Sequence, residues 1–408
     1  MPRRRLALLG ALWLTAAACA SPVGAVRVDP VVAQRQLSRS ATTTGEPSWP
    51  TRNHLAEHGL LEAFDTQPEA AIAELHRAMV ATGGDSGLLF ALAELSFLHG
   101  RAAKNPTFHL AAAVYAYAFL FPEESGVTVG RFDPRLRIAA DLYNLALTGA
   151  FASKDRSEVV LRGGTFTLPF GPIEVAFDPA SLRAGDRELY RFTPTEELEV
   201  HGLAMRYRWP GLGLPLRRRH STHRSRETRP GPGGAAPPGP GDGLPADPRD
   251  PAGPRRGRPL AATLELHLAS DGETVSIAGE PVPLEMDPSA ALALTFADVP
   301  IVRLELSRVP GPAGRGHAAA ARLGHAVPAR ARPVVFVHGT QSSVVRWAEM
   351  YNRLQGDPEI RRRFQFWFFQ YDSGQPVALS ALQLREALTA AVARLDPGVR
   401  TRPSAGWC

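Results

Sequence analysis

The stretch Pro333-Val334-Val335-Phe336-Val337-His338-Gly339-Thr340 decides how this chain is read. A short β-branched, apolar run ending in His-Gly predicts a buried parallel strand that stops at a tight turn. Ser343 is placed to cap a helix, and Trp347, Met350, Tyr351 and Leu354 recur three or four residues apart on one face of it. Gly356-Asp357-Pro358 breaks that pattern. An almost wholly apolar strand follows from Phe364 to Tyr371, with Phe366, Trp367, Phe368 and Phe369 in succession. A second helix is predicted after Pro376, with Leu379, Leu382, Leu388 and Val392 inward and Arg385 and Glu386 outward. Strand, helix, strand, helix in so few residues predicts a right-handed βαβα unit of a parallel sheet.

The His338-Gly339 turn, the run Arg346-Trp347-Ala348-Glu349-Met350 and the strand Phe366 to Phe369 together resemble the α/β-hydrolase family, in a bacterial lipoprotein-type subgroup. The resemblance spans Pro333 to about Gly398. It implies an α/β fold class, with a partial α/β-hydrolase sheet at the C-terminus preceded by an α-helical domain and a β-rich region. It also implies a serine esterase or lipase lineage acting on an ester or lipid substrate. His338, Gly339 and Thr340 are then the oxyanion loop: Gly339 opens the turn to close approach, and the Thr340 amide faces developing negative charge.

The same resemblance calls for a nucleophile on a strand–elbow–helix with G-x-S-x-G, then an acid and a histidine. No G-x-S-x-G occurs in the sequence. Gly84-Asp85-Ser86-Gly87 reads as a helix-start turn. In Gly339-Thr340-Gln341-Ser342 the serine falls on the oxyanion loop itself. Ser343, Asp372 and Ser373 lie near strand ends, but Asp372-Ser373-Gly374 is ordinary turn chemistry, and no second histidine is placed to serve as base. Val399 to Cys408 is too polar to supply the elbow strand. The expectation is a hydrolase-like unit, by class a serine hydrolase, that lacks nucleophile, acid and base. Without the elbow strand, Val334 to Val337 is expected at an unpaired sheet edge.

The opening residues read as a targeting segment, 1–18. Arg3-Arg4-Arg5 is its charged region, Leu6 to Ala18 its apolar region, and Ala17-Ala18 a small-residue cleavage site. Cys19 directly after it resembles a lipoprotein lipobox, so lipidation at Cys19 and anchorage to a membrane of the bacterial envelope, facing the periplasm, are expected. The apolar region is short for a span, and one acyl chain anchors only marginally, a shortfall that a diacylglyceryl group meets. Cys408 is the second of two cysteines, which excludes a disulfide framework. No Cys/His spacing suits zinc or haem, and His109 on an apolar helix reads as a packed residue. No metal or cofactor is expected. The net charge of +6 comes largely from arginine in the leader and in low-complexity stretches, without interleaved aromatics, which argues against nucleic acid.

Residues 19–50 are polar and suit a tether. A helical domain is expected over 51–155, with Thr66 and Glu69 as a capping box and amphipathic runs at Leu88 to His99, Phe108 to Phe121 and Arg135 to Phe151. A β-rich region follows over 156–216, with strands at Val159 to Leu161, Thr165 to Leu168, Ile173 to Val175 and Leu198 to Val200. Residues 217–259, opening with Arg217-Arg218-Arg219-His220, form a Pro/Gly/Arg-rich stretch without the apolar content to fold. It reads as a basic linker suited to anionic headgroups or as a shifted reading frame in a truncated gene. A second β-rich region over 260–308 includes Thr263 to Leu268 and Val302 to Leu306. A loop over 309–332, the partial hydrolase domain over 333–398 and an irregular tail over 399–408 complete the chain. The alternative function is a non-catalytic envelope lipoprotein whose helical domain binds a protein partner.

Overall fold

The computed structural model describes residues 23–122, 129–184, 187–220, 260–267, 272–297, 319–322, 332–340, 342–371 and 374–395. The leader, Cys19, Val302 to Leu306, Asp372, Ser373 and Cys408 lie outside them. The class is mixed α/β, about 49% helical with several small sheets. The chain divides into residues 1–39 and 40–408. Among the described residues of the first unit there is one helix, α1 (Pro30–Leu37), whose start is set by the Asp29 carboxylate accepting the Val31 amide at 2.8 Å.

The second unit begins with α2 (Trp49–Glu57), α3 (Leu61–Thr66), α4 (Pro68–Ala81), α5 (Ser86–Ala103), α6 (Pro106–Leu120) and α7 (Arg135–Phe151). The α5 sequence is apolar almost all round, the mark of a central helix, and α5 touches α2, α4, α6 and α7. Phe90, Ala91, Leu92, Ala93 and Leu95 on it are fully buried. Its start is the Gly84-Asp85-Ser86-Gly87 turn, where the Asp85 side chain accepts the Leu88 amide at 2.9 Å. The expected capping box does not form. Thr66 closes α3 and donates to the Glu62 carbonyl at 3.0 Å, while Gln67 occupies the α4 cap position without a side-chain bond.

The expected tether is also shorter than 19–50, because Ser40, Ala41 and Ser48 are buried. The cause is Glu94 of α5, fully buried, whose carboxylate accepts the Ala41 amide (2.9 Å), the Ser48 amide (3.0 Å) and hydroxyl (2.5 Å), and the Thr51 hydroxyl (2.6 Å). A buried charge is tolerable only when satisfied in this way. His109 of α6 is the opposite case. It is 2% exposed, and neither ring nitrogen has a hydrogen-bond partner among the described residues. Its ring sits edge-on to Phe97 and fills the space left by Gly149, where a Cβ would come within 2.5 Å of it. Burial, with smaller contributions from Arg156 and Arg101, pushes its pKa down from 6.5 to about 4. It is a packed residue and not a ligand.

The first sheet, in the order β1 (Gly164–Leu168), β2 (Gly171–Phe177), β6 (Leu260–Leu264), is antiparallel between β1 and β2 and parallel between β2 and β6. Alternation turns Ile173, Val175, Ala262 and Leu264 toward the helices. A second sheet holds β3 (Arg183–Ala184), β4 (Arg187–Pro194) and β5 (Leu216–His220). The Arg217 to His220 run is therefore strand and not linker, with the backbone of Leu216 to His220 paired to β4. Leu198 to Val200 forms no strand, and Val159 makes only isolated bridges to Ala152 and Phe192. The hairpin β7 (Thr274–Ile277) and β8 (Glu280–Pro283) turns through Ala278 and Gly279, both at positive φ, as a two-residue hairpin requires.

Within the region expected to be β-rich, Pro288–Ala297 is a helix, α8, started by Asp287 accepting the Ala290 amide at 2.9 Å. Its Ala/Leu composition and leading proline favour that state over strand. The strap from Met205 to Leu216 runs between the helices and this part of the chain. Asn144 of α7 donates to the Gly211 carbonyl and accepts from the Gly213 amide, while Ser289 of α8 accepts the Tyr207 amide. Buried Glu285 and Asp287 pair with Arg208 and Arg206 along the same strap.

Removing the Glu94 carboxylate strands three groups of donors at once. We expect Glu94→Ala to cost on the order of 3–5 kcal/mol in denaturant unfolding, and a loss under 1 kcal/mol would show that the contacts are dispensable. The His109 shift has a definite sign. The folded state holds this ring neutral down to about pH 4, whereas an unfolded histidine takes a proton near 6.5. The unfolded state thus binds more protons between the two values, so stability is full above 6.5 and falls as pH drops toward 4, by about 3 kcal/mol. His109→Leu should flatten that part of a stability-versus-pH curve; an unchanged slope would assign the acid sensitivity elsewhere.

Candidate functional site at the end of the parallel strand pair

The third sheet has the order β10 (Arg332–Val337), β11 (Phe364–Gln370), β9 (Ala319–Arg322). β10 and β11 are parallel, in register from Arg332 opposite Phe364 to Val337 opposite Phe369, and β9 runs antiparallel to β11. The stretch expected as a loop over 309–332 thus contains a strand, and a sheet with one antiparallel outer strand is common in α/β folds. The connection from β10 to β11 is helical, as a parallel pair requires. A single 3₁₀ turn over Val344–Trp347 leads into α9 (Ala348–Gln355) and the short α10 (Pro358–Arg363). Asp357 caps α10 by accepting the Glu359 and Ile360 amides. Helix α11 (Val377–Leu395) follows β11.

Aromatic rings hold the unit together. Phe336 stacks on Phe366 and Phe368 at centroid distances of 5.8 and 5.0 Å, and Tyr351 of α9 meets both strand residues edge-on. Phe296 of α8 covers Phe368 at 6.2 Å. Two expected inward positions are not inward: Leu379 is 43% and Leu382 39% exposed, and Met350 is also exposed. On α11 the inward row is set by Ser380, which is buried, with Leu384 and Leu388 half-buried. Among the described residues β10 lies at the sheet edge, with Val337 exposed.

The register brings His338 beside Tyr371, which caps β11. The two rings lie nearly parallel, 4.3 Å apart, and Tyr371 also stacks on Phe369. The Tyr371 hydroxyl donates to the His338 carbonyl at 2.6 Å, and the Tyr371 amide donates to Nε2 of His338 at 3.4 Å. Because an amide N–H can only donate, Nε2 accepts, and the ring proton sits on Nδ1, which donates to the Gly339 carbonyl at 3.0 Å. His338 is 3% exposed and committed on both nitrogens. Its role here is to clamp the turn, and neither contact is to a serine.

Gly339 and Thr340 are exposed just beyond this clamp. Gly339 is not in the left-handed region, and a Cβ built on it would meet nothing within 4 Å. Glycine is therefore required neither by the local backbone nor by crowding from the protein. What a side chain at 339 would fill is the open space in front of the turn. Among the described residues, the serines singled out in the sequence do not assemble a nucleophile. Ser343 is buried and accepts the Val345 amide, Ser342 is half-buried on the same loop, and Ser86 starts α5.

No protein-family model, curated protein or solved structure matches the chain. Among the described residues there is no group of three or more His, Cys, Asp or Glu side chains able to hold a metal ion. No described helix is long and apolar enough to cross a membrane.

Tyr371 is the member of this site that the sequence did not reveal. It stands one residue past the end of β11, and only the register of β10 against β11 brings it onto His338. Tyr371→Phe removes the hydroxyl bond and keeps the stack, at an expected cost of about 1 kcal/mol, with the Nδ1–H form of His338 retained in a nitrogen-15 spectrum. Tyr371→Ala should lose that single form. Indistinguishable His338 spectra in wild type and Tyr371→Ala would remove the clamp from the site.

Proposed function

We propose that the chain is an α/β-hydrolase-like protein of serine esterase or lipase lineage, carried on the bacterial envelope through a lipid at Cys19. On this reading His338, Gly339 and Thr340 form an oxyanion loop, and this chain does not complete the active site. The observation that carries the reading is the exposed pair Gly339-Thr340, following buried His338 at the carboxyl end of a parallel strand that lies at the sheet edge among the described residues. Ligands of parallel sheets bind outside the carboxyl ends of the strands, and an oxyanion loop needs its amides aimed outward and not used by the protein. The exposure of Gly339 and Thr340 fits that need, and so does the clamp, which spends the His338 imidazole on fixing the turn.

The chemistry follows from what is present. On this reading the N–H of exposed Thr340 would polarise a carbonyl and favour the tetrahedral anion, but bond formation at carbon requires an attacking oxygen and a base to take its proton. Among the described residues neither stands beside the turn. The expected behaviour is weak recognition of an anionic tetrahedral group without turnover.

Two measurements on the purified chain test this. A serine-directed fluorophosphonate and a short-chain aryl ester should give no labelling and no turnover above buffer; stoichiometric labelling of one serine would overturn the missing nucleophile. Titration with an alkylphosphonate, followed by amide resonances, should move Gly339 and Thr340 first. If those two amides stay fixed while others move, the oxyanion assignment fails.

A further inference from the structure

The helical part of the molecule holds a space that the candidate site does not use. Where α6 and α7 lie over the β1–β2–β6 sheet, a cavity of about 50 Å³ is partly open to the outside at a mouth. Ala113 of α6 and Leu147 and Phe151 of α7 form one wall, and Ile173, Val175 and Ala262 form the other. All six are buried. The lining is almost wholly apolar. Protein interiors close-pack, and voids larger than a water molecule are few. A water placed here would need two to four polar partners; Tyr117 and Tyr143 are the lining residues with a polar side-chain atom, and almost none of the surface they present to the cavity is polar, so the cavity favours an apolar guest. It exists because alanine stands on both walls, at 113 on the helix and 262 on the strand, where a larger side chain from either side would fill it.

The shape narrows the choice of guest. The enclosed part is too small for a fused-ring or branched group, but it admits the end of an unbranched hydrocarbon, and the mouth leaves room for the rest to reach solvent. We propose that this cavity binds a single alkyl chain, with the carboxylate or headgroup left outside at the mouth. The site takes its specificity from its width and apolar walls, since no charged side chain lines it. It is independent of the hydrolase reading and of the His338 turn.

The test uses the whole chain and cis-parinaric acid, a polyene fatty acid that fluoresces when shielded from water. Saturable one-to-one binding is expected, with displacement by decanoate and not by adamantane carboxylate, whose cage is too wide for the slot. Ala113→Leu and Ala262→Leu should each weaken binding about tenfold or more by filling the space, with the thermal midpoint unchanged or raised. Absence of saturable binding to the wild type overturns the proposal, and so does equal displacement by the cage compound. Full affinity in both folded variants also overturns it, by placing the probe elsewhere. If either variant fails to fold, the decanoate-against-adamantane comparison on the wild type decides alone. Displacement by phosphatidylcholine vesicles as well as by decanoate would identify the chain as that of a membrane lipid, and displacement by decanoate alone as that of a free fatty acid. Both outcomes support the site.

Discussion

Burying β11 on both faces is the constraint from which the C-terminal part of the structure follows. Phe366, Trp367, Phe368 and Phe369 succeed one another, and side chains of a strand alternate between faces. A half-exposed strand would therefore put two large aromatics into water, at a cost of about 1.5–3 kcal/mol each. All four are buried. That outcome requires cover above and below and a strand on either side, so β11 takes the centre between β10 and β9. Once β11 is central, β10 falls to the edge and the His338 turn to the rim. The exposure of Gly339 and Thr340 is thus a consequence of where the aromatics had to go.

The same logic joins the helices to this sheet. Neither part is closed by itself, because the strap from Met205 to Leu216 carries peptide groups that must find partners as they are buried. Asn144 answers it from α7, and Ser289, backed by Asn352, answers it from α8 and α9. Asn352 also donates directly to the Met205 carbonyl. Around the strap the charges are matched, Arg208 to Glu285 and Arg206 to Asp287, with both carboxylates fully withdrawn from water. Glu196 shows what happens without a cation of its own. Burial raises its pKa to about 8, with neighbouring Glu285 adding to the rise, despite the Thr148 hydroxyl donating to it.

Periodicity made several local elements legible. The aromatic run specified β11, the β-branched run β10, and the amphipathic run from Arg135 to Phe151 α7, because each signal is settled within a few residues. What escaped depended on partners distant in sequence. Ser40 to Ser48 reads as a polar tether until Glu94, more than forty residues on, gathers the Ala41 and Ser48 amides and the Ser48 hydroxyl. Ala319 to Arg322 has no strand signal of its own and becomes one by pairing with β11. Leu379 and Leu382 have the spacing of an inward face, yet Ser380 is the residue turned in. Helical period shows that an apolar stripe exists but not whether anything is there to cover it. In the site, His338, Gly339 and Thr340 were readable as a motif, while Tyr371 was not, because its contact is a product of register.

The clamp bears on how a His-Gly turn after a strand is to be read. A His-Gly pair after a strand is too short to identify a chemistry, and a histidine at such a place invites reading as a base. Its bonds argue otherwise. With Nδ1–H given to the Gly339 carbonyl and Nε2 taken by the Tyr371 amide, the imidazole has no lone pair left for a substrate proton. What it does is hold the Gly339 carbonyl inward, which turns the following peptide so that its N–H faces out. A carbonyl and the N–H of the next residue belong to one planar unit and point in opposite directions, so fixing the first orients the second. The side chain that resembles a catalytic group thus serves the backbone group beside it, and any catalysis at this turn has to draw its base from elsewhere.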